Sequence, residues 1–176
     1  IKPKQSNIIR PLINSTREDI ESYCRENNLN PRIDSTNLET IYLRNKIRLE
    51  LIPLLVKEYN TNLISSLART ADLLREEEEF LKQNTLKEFD KVVIDEKDQR
   101  LIINKNNLLE LHLALQRRLI RECFKNLVGD YKDFYYQHIE LVLEAIKNSE
   151  TGSQLNLPRG IVLFLNYPEN WILIIF

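Results

Sequence analysis

Leu43, Ile47, Leu51 and Leu54 fall three or four residues apart, so they form one apolar stripe along a helix, with polar residues on the other side. Ile20, Tyr23, Cys24 and Asn27 share that spacing. Leu67, Ala71, Leu74, Leu81 and Phe89 recur roughly in phase over a longer run. The pattern predicts helices after Ser15, over about 38–55 and over 63–89. One or two more should cover 104–128, and another 133–148.

Shorter apolar runs predict strands. "NIIRPLI" (7–13) reads as a short buried strand, placed near an edge or a strand end by Pro11. "VVI" (92–94) and "RLII" (100–103) flank "DEKDQ" as a hairpin. The tail from Ser153 reads as three strands with turns at 158–160 and 168–170.

Polar residues mark the ends of these elements. Ser15 with Glu18, and Thr36 with Glu39, have the spacing of capping boxes, the second starting a helix near Leu38. Asn28 suits a left-handed helix stop, and Gly129 another. Residues 29–33 should be extended, because the residue before Pro31 avoids the helical region. Pro53 should kink or end its helix. Asn104 or Asn106 suits an N-cap. The expected fold is mainly α with a small sheet, an α+β arrangement. "EYNTN" (58–62) is the expected boundary: residues 1–60 alternate strand and helix like the end of an α/β domain, and 61–176 are mostly helical.

Composition narrows the classes. The 176 residues suit one domain or two small ones, and 43% hydrophobic content suffices for a core. A net charge of −1 excludes a global field that draws the chain onto nucleic acid or membrane. No apolar run reaches about 18 residues, so no membrane-spanning helix is expected. Cys24 and Cys123 lie far apart and outside any histidine cluster, so they read as reduced thiols of a cytoplasmic protein, and no metal site is expected. Glycines occur only at 129, 152 and 160, too dispersed for a phosphate-cradling loop. The missing initial Met and the apolar end "WILIIF" are read as those of a fragment.

Charge is uneven. Residues 1–60 hold ten Lys/Arg against eight Asp/Glu, and residues 61–176 hold 15 against 18. Within the second part, Lys105, Arg117, Arg118, Arg121 and Lys125 form a locally basic stretch. In the helix expected over about 38–55, at about 100° per residue, Arg44 and Arg48 both border the apolar stripe. Paired guanidinium forks at the rim of a cleft suit phosphate or a developing oxyanion, and Asp34 and Asn37, just ahead, are placed either to orient a ligand or to hold the arginines. From the residues alone, a surface helix whose arginines pair with carboxylates such as Glu50 is the favoured reading.

"IIRPLI", then "DSTN", then "YLRNKIRLELIPLL" resembles the end of the catalytic domain of the tRNA(Ile)-lysidine synthetase family. "LARTADLLREEEEFL", "LQRRLIR" and "LNLPRGIVL" resemble the helical domain that follows in that family. The resemblance covers nearly the whole chain. It implies an N-type ATP pyrophosphatase that uses ATP with Mg2+ to adenylate the wobble cytidine of a tRNA(Ile) with a CAU anticodon. L-Lysine then displaces AMP to give lysidine. It implies catalytic roles for Asp34, Asn37, Arg44, Asn45 and Arg48, a weaker cofactor-binding role for Arg10, and tRNA contacts for Lys105, Arg117, Arg118 and Arg121. Leu49 stands where many members carry histidine, and the family's SGG-x-D-S ATP loop is absent, so these residues by themselves should not turn over ATP. A homodimer that lends strands to 1–60 fits the same reading. The alternatives are a non-catalytic RNA-binding module and another ATP-dependent tRNA-modifying enzyme, such as a thiolase, although those usually use cysteine pairs.

Overall fold

A computed structural model describes residues 3–5, 7–32, 34–97, 99–150, 152–166 and 171–176. The chain forms two compact units, Ile1–Ser66 and Leu67–Phe176.

The first unit opens with β1 (Lys4–Gln5) and β2 (Ile8–Ile9), an antiparallel pair two residues long. The expected buried strand over 7–13 is therefore shorter and exposed. A two-residue ladder with one neighbour has nothing stacked on it, and Ile9 is 69% exposed. Helix α1 (Arg17–Glu26) starts one residue later than its expected box. Thr16 Oγ1 accepts the Asp19 N–H, and Asp19 accepts the Thr16 N–H at 2.8 Å, so Thr16 and Asp19 replace Ser15 and Glu18 as the box. Asn28 does take the left-handed conformation, with φ 51°. Ile33, in the segment expected to be extended, lies outside the described residues.

The next helix starts later than expected. Residues Ser35–Leu38 form a single 3-10 turn capped by Asp34, not the first turn of a long helix begun by Thr36 and Glu39. Helix α2 (Leu43–Lys46) leads into a wide π turn, Ile47–Leu51, and then α3 (Ile52–Glu58). Pro53 accounts for the wide turn. It has no N–H to donate, and in an α-helix its ring would collide with the Leu49 carbonyl; opening the ladder just ahead relieves both. The stripe of Leu43, Ile47, Leu51 and Leu54 is exposed in this chain, Leu43 at 72%.

The second unit holds the core. Helix α4 (Leu63–Val92) extends into it and ends on buried Thr85, Phe89 and Val92. A five-stranded antiparallel sheet follows, built from β3 (Val93–Lys97), β4 (Arg100–Asn104), β5 (Gln154–Asn156), β6 (Val162–Asn166) and β7 (Trp171–Ile175), in the order β3-β4-β7-β6-β5. The expected hairpin and three tail strands are present; the turn expected at 168–170 lies outside the described residues.

The register aligns Leu101 and Leu163 on either side of Ile174, and Ile103 and Leu165 on either side of Ile172. All six are buried, so alternate positions make one continuous apolar face. Helices α5 (Lys105–Glu110), α6 (Leu113–Val128) and α7 (Tyr136–Asn148) contribute Leu108, Ile120, Phe124, Val142 and Ile146 to the same core.

Side-chain caps separate these helices. Asn104 accepts the Asn107 N–H, His112 Nδ1 accepts the Ala114 N–H, and His138 Nδ1 accepts the Tyr135 N–H. Gly129 closes α6 at φ 86°, where a side chain would be strained.

Both cysteines are free thiols. Burial, helped by Glu96 and Glu122, pushes the Cys123 thiol up to about 12, so the reactive thiolate is scarce at neutral pH. Cys24 is partly exposed. A thiol reagent at pH 8 is expected to label one cysteine in the native protein and both in denaturant, read by mass spectrometry of the peptides.

Candidate functional site

Asp34, Asn37 and Arg48 share an open hollow of about 450 Å³ in the first unit with Arg17, Glu21, Arg32 and Leu49. Its geometry follows from local hydrogen bonds. Asp34 Oδ1 accepts the Thr36 N–H at 3.0 Å and the Thr36 hydroxyl at 2.8 Å, which fixes the 3-10 turn carrying Asn37. These bonds hold the Asp34 carboxyl below the ordinary range, so it is ionised at neutral pH. Asn45 ties the loop to α2: its Nδ2 donates to the carbonyls of Thr36 at 2.8 Å and Glu39 at 2.9 Å.

The arginines of the hollow differ. Arg17 donates to Glu21 at 2.6 Å. Arg32 and Arg48 have no carboxylate partner among the described residues. Two unneutralised guanidinium groups beside Asn37 make a donor-rich surface suited to a multiply charged oxyanion.

The sequence reading is therefore divided. Asp34, Asn37 and Arg48 come together. Asn45 braces their loop and does not line the hollow. Arg44 is exposed about one turn nearer the start of the helix and does not line it either; the even 100° step assumed for this pair is interrupted by the π turn. Arg10 is half-buried and already engaged within the chain. Arg17, Arg32 and Leu49 were not anticipated as lining residues. Arg32 stands two residues ahead of Asp34, a proximity the sequence offered but periodicity could not rank.

An Asn45→Ala substitution should free the loop without removing a group from the hollow. The backbone amides of residues 34–39 should exchange faster with solvent, while thermal unfolding of the second unit stays unchanged. Hydrogen exchange and a calorimetric scan check both.

In the second unit, the four predicted RNA-contacting cations are mostly engaged. Arg117 forms a two-pronged pair with Glu140, at 2.7 and 3.0 Å, and donates to the Tyr136 hydroxyl at 3.0 Å. Arg117 thereby keeps the Glu140 carboxyl below its ordinary range. Arg118 pairs with Glu78, one contact at 3.0 Å. Lys105, at the start of α5, is engaged within the chain. Arg121 lies 4.9 Å from the centre of the Tyr131 ring.

Among the described residues no cluster of three His, Cys, Asp or Glu side chains could hold a metal ion. Nor is any helix long and apolar enough to cross a membrane.

Residues 2–55 match the PP-loop domain family. Over 89% of its length the chain is 37% identical to the tRNA(Ile)-lysidine synthase of Clostridioides difficile, of which it covers 34%. It is 36% identical over 96% of its length to the enzyme of that name from Clostridium perfringens, covering 36% of it. Over 90% it is 37% identical to the one from Caldanaerobacter subterraneus, covering 33%. The chain thus spans about a third of the length of the curated relatives it matches. In each case the similar stretch runs across both compact units.

Proposed function

We propose that this chain is part of a cytoplasmic tRNA(Ile)-lysidine synthase, contributing the end of a PP-loop ATP-pyrophosphatase domain (residues 1–60) and a tRNA-facing helical domain (residues 61–176). The reading is carried by one observation: identity of 36–37% that continues through both units to relatives bearing that name. The hollow supports it, because Arg32 and Arg48 are the guanidinium groups there without a carboxylate partner among the described residues.

In this reading the O2 oxygen of the wobble cytidine attacks the α-phosphorus of ATP, and pyrophosphate leaves with the bonding pair. The L-lysine amine then attacks C2, the C2–O2 bond breaks, and AMP departs with that oxygen. Each step gathers negative charge on phosphoryl oxygens. Arg48 and Arg32 would donate to those oxygens, and donors fixed before reaction avoid reorganisation during it. Asp34 and Asn45 are read as positioning residues, since Asp34 Oδ1 and Asn45 Nδ2 hold the 34–39 loop. Asn37 faces the hollow as a ligand-orienting amide. Arg44, one turn away, is left to the RNA side, and Arg10 to support of the segment behind it.

Mg2+ would accompany ATP and shield its phosphates. Asp34 and Glu21 face the hollow but are held by Thr36 and Arg17, so among the described residues this chain adds no cage of its own.

The test is direct. The intact protein should be given ATP, L-lysine and a tRNA(Ile) transcript with a CAU anticodon. Digestion and mass spectrometry should show lysidine at the wobble position, with AMP and pyrophosphate in equal amounts. A transcript that returns unmodified cytidine would sink the reading.

A further inference from the structure

Helices α4 and α6 enclose a hollow of about 180 Å³ in the second unit, lined among others by Lys82, Arg118, Arg121, Glu122, Lys125 and Tyr131. Its charges sort into two kinds. Arg118 is paired with Glu78, and Lys125 with Glu122, so these two cations are already neutralised. Lys82 and Arg121 have no carboxylate partner among the described residues.

Arg121 is nevertheless fixed. Its Cζ lies 4.9 Å from the centre of the Tyr131 ring, a cation–π contact that restrains the side chain without using its N–H donors. Lys82 supplies a compact point charge from the facing helix. The buried Thr85 hydroxyl is spent on the Leu81 carbonyl at 2.7 Å, so it does not compete as a donor. At this volume the hollow is smaller than the roughly 300–1,000 Å³ of drug-sized ligand sites, and it suits one small anion.

We propose that Lys82 and Arg121 together hold a phosphoryl oxyanion in the α4–α6 hollow. The group is either an RNA backbone phosphate or a free phosphate or pyrophosphate. The RNA source rests on the reading of residues 61–176 as tRNA-facing; the oxyanion chemistry does not. The inference also revises that reading in detail. Lys82, which was not among the expected RNA-contacting residues, joins Arg121, whereas Arg117 and Arg118 serve intramolecular pairs.

The test uses the whole 176-residue chain and the variants Lys82→Gln and Arg121→Gln. Lys87→Gln, on the same helix but outside the hollow, is the control. All three positions are exposed, and circular dichroism verifies that each variant folds. Binding of a fluorescent tRNA(Ile) transcript is measured by anisotropy over a range of salt, and binding of inorganic pyrophosphate by calorimetry.

If RNA is the source, each hollow variant weakens RNA binding by about tenfold, the loss expected of one charge-assisted contact. The salt slope should also fall by about one, while Lys87→Gln binds as wild type. If the source is free anion, the hollow variants lose pyrophosphate binding while RNA binding is unmoved. Wild-type behaviour of both hollow variants toward both probes overturns the site, as does an equal loss in Lys87→Gln. The two readings fail separately. A wild-type chain that binds pyrophosphate through Lys82 and Arg121 but no RNA refutes the tRNA-facing domain and keeps the site. A wild-type chain that binds RNA, with variants that bind both probes alike, refutes the site and keeps the domain.

Discussion

On the proposed function, Arg48→Ala in the intact protein is expected to lower lysidine formation by about 10²–10³-fold, the typical loss when one donor is withdrawn from a developing negative charge. The size follows from its surroundings. Arg48 lies in the π turn that precedes Pro53, shares a hollow with Asn37 and Arg32, and has no carboxylate among the described residues to occupy it. Alanine removes the whole guanidinium fork and leaves Arg32 as the guanidinium of the hollow without a carboxylate partner among the described residues. Arg48→Lys should recover part of the rate, because charge survives while the planar fork does not. The side chain is exposed, so neither substitution should lower the melting temperature measurably. Single-turnover formation of lysidine, followed by mass spectrometry beside a melting curve, checks all three statements. A wild-type rate for the alanine variant would move the reacting phosphates out of this hollow.

Phe124→Ala should destabilise the second unit by about 3–5 kcal/mol, the range for emptying a buried aromatic position. Phe124 is fully buried on α6, and its ring stacks on Phe134 at a centroid distance of 4.3 Å. Phe134 precedes α7 and lies in the same core cluster, as do Ile139 and Leu143 of that helix. The cavity would thus open where the approach to α7 meets α6, two helices also joined by the Arg117–Glu140 pair. Phe124→Leu fills part of the volume and should cost less. Urea titration of the isolated chain, read by far-ultraviolet circular dichroism, measures the difference. A loss below about 1 kcal/mol would mean that the site collapses freely.

Much of the element order was legible from spacing. The long helix from Leu63, the pairing of β3 with β4, the cap at Asn104 and the stop at Gly129 all follow from signals within a few residues of each other. Errors arose where two local signals competed. Thr16 and Asp19 outranked Ser15 and Glu18 by one residue, and Asp34 captured Thr36, which otherwise reads as a helix start. Pro53, expected to kink or end its helix, is preceded by a wide π turn and the helix continues past it.

The candidate site was half legible. Asp34, Asn37 and Arg48 belong to one short stretch, and a resemblance in its motif selected them. Arg17 and Arg32 reach the same hollow from α1 and the segment after it, which no helical period connects to Arg48. The fate of the basic stretch on α6 was invisible. Arg117 is neutralised by Glu140, 23 residues away, and Arg118 by Glu78, 40 residues away.

By itself the sequence determined the order of the helices and strands, because caps, periodicity and proline effects act between near neighbours along the chain. Tertiary structure alone decided that β4 pairs with β7, that Phe124 meets Phe134, and which cations keep a free charge. Those outcomes depend on contacts between residues distant in sequence. The strength of a charge is set by the carboxylate or ring that packing brings beside it.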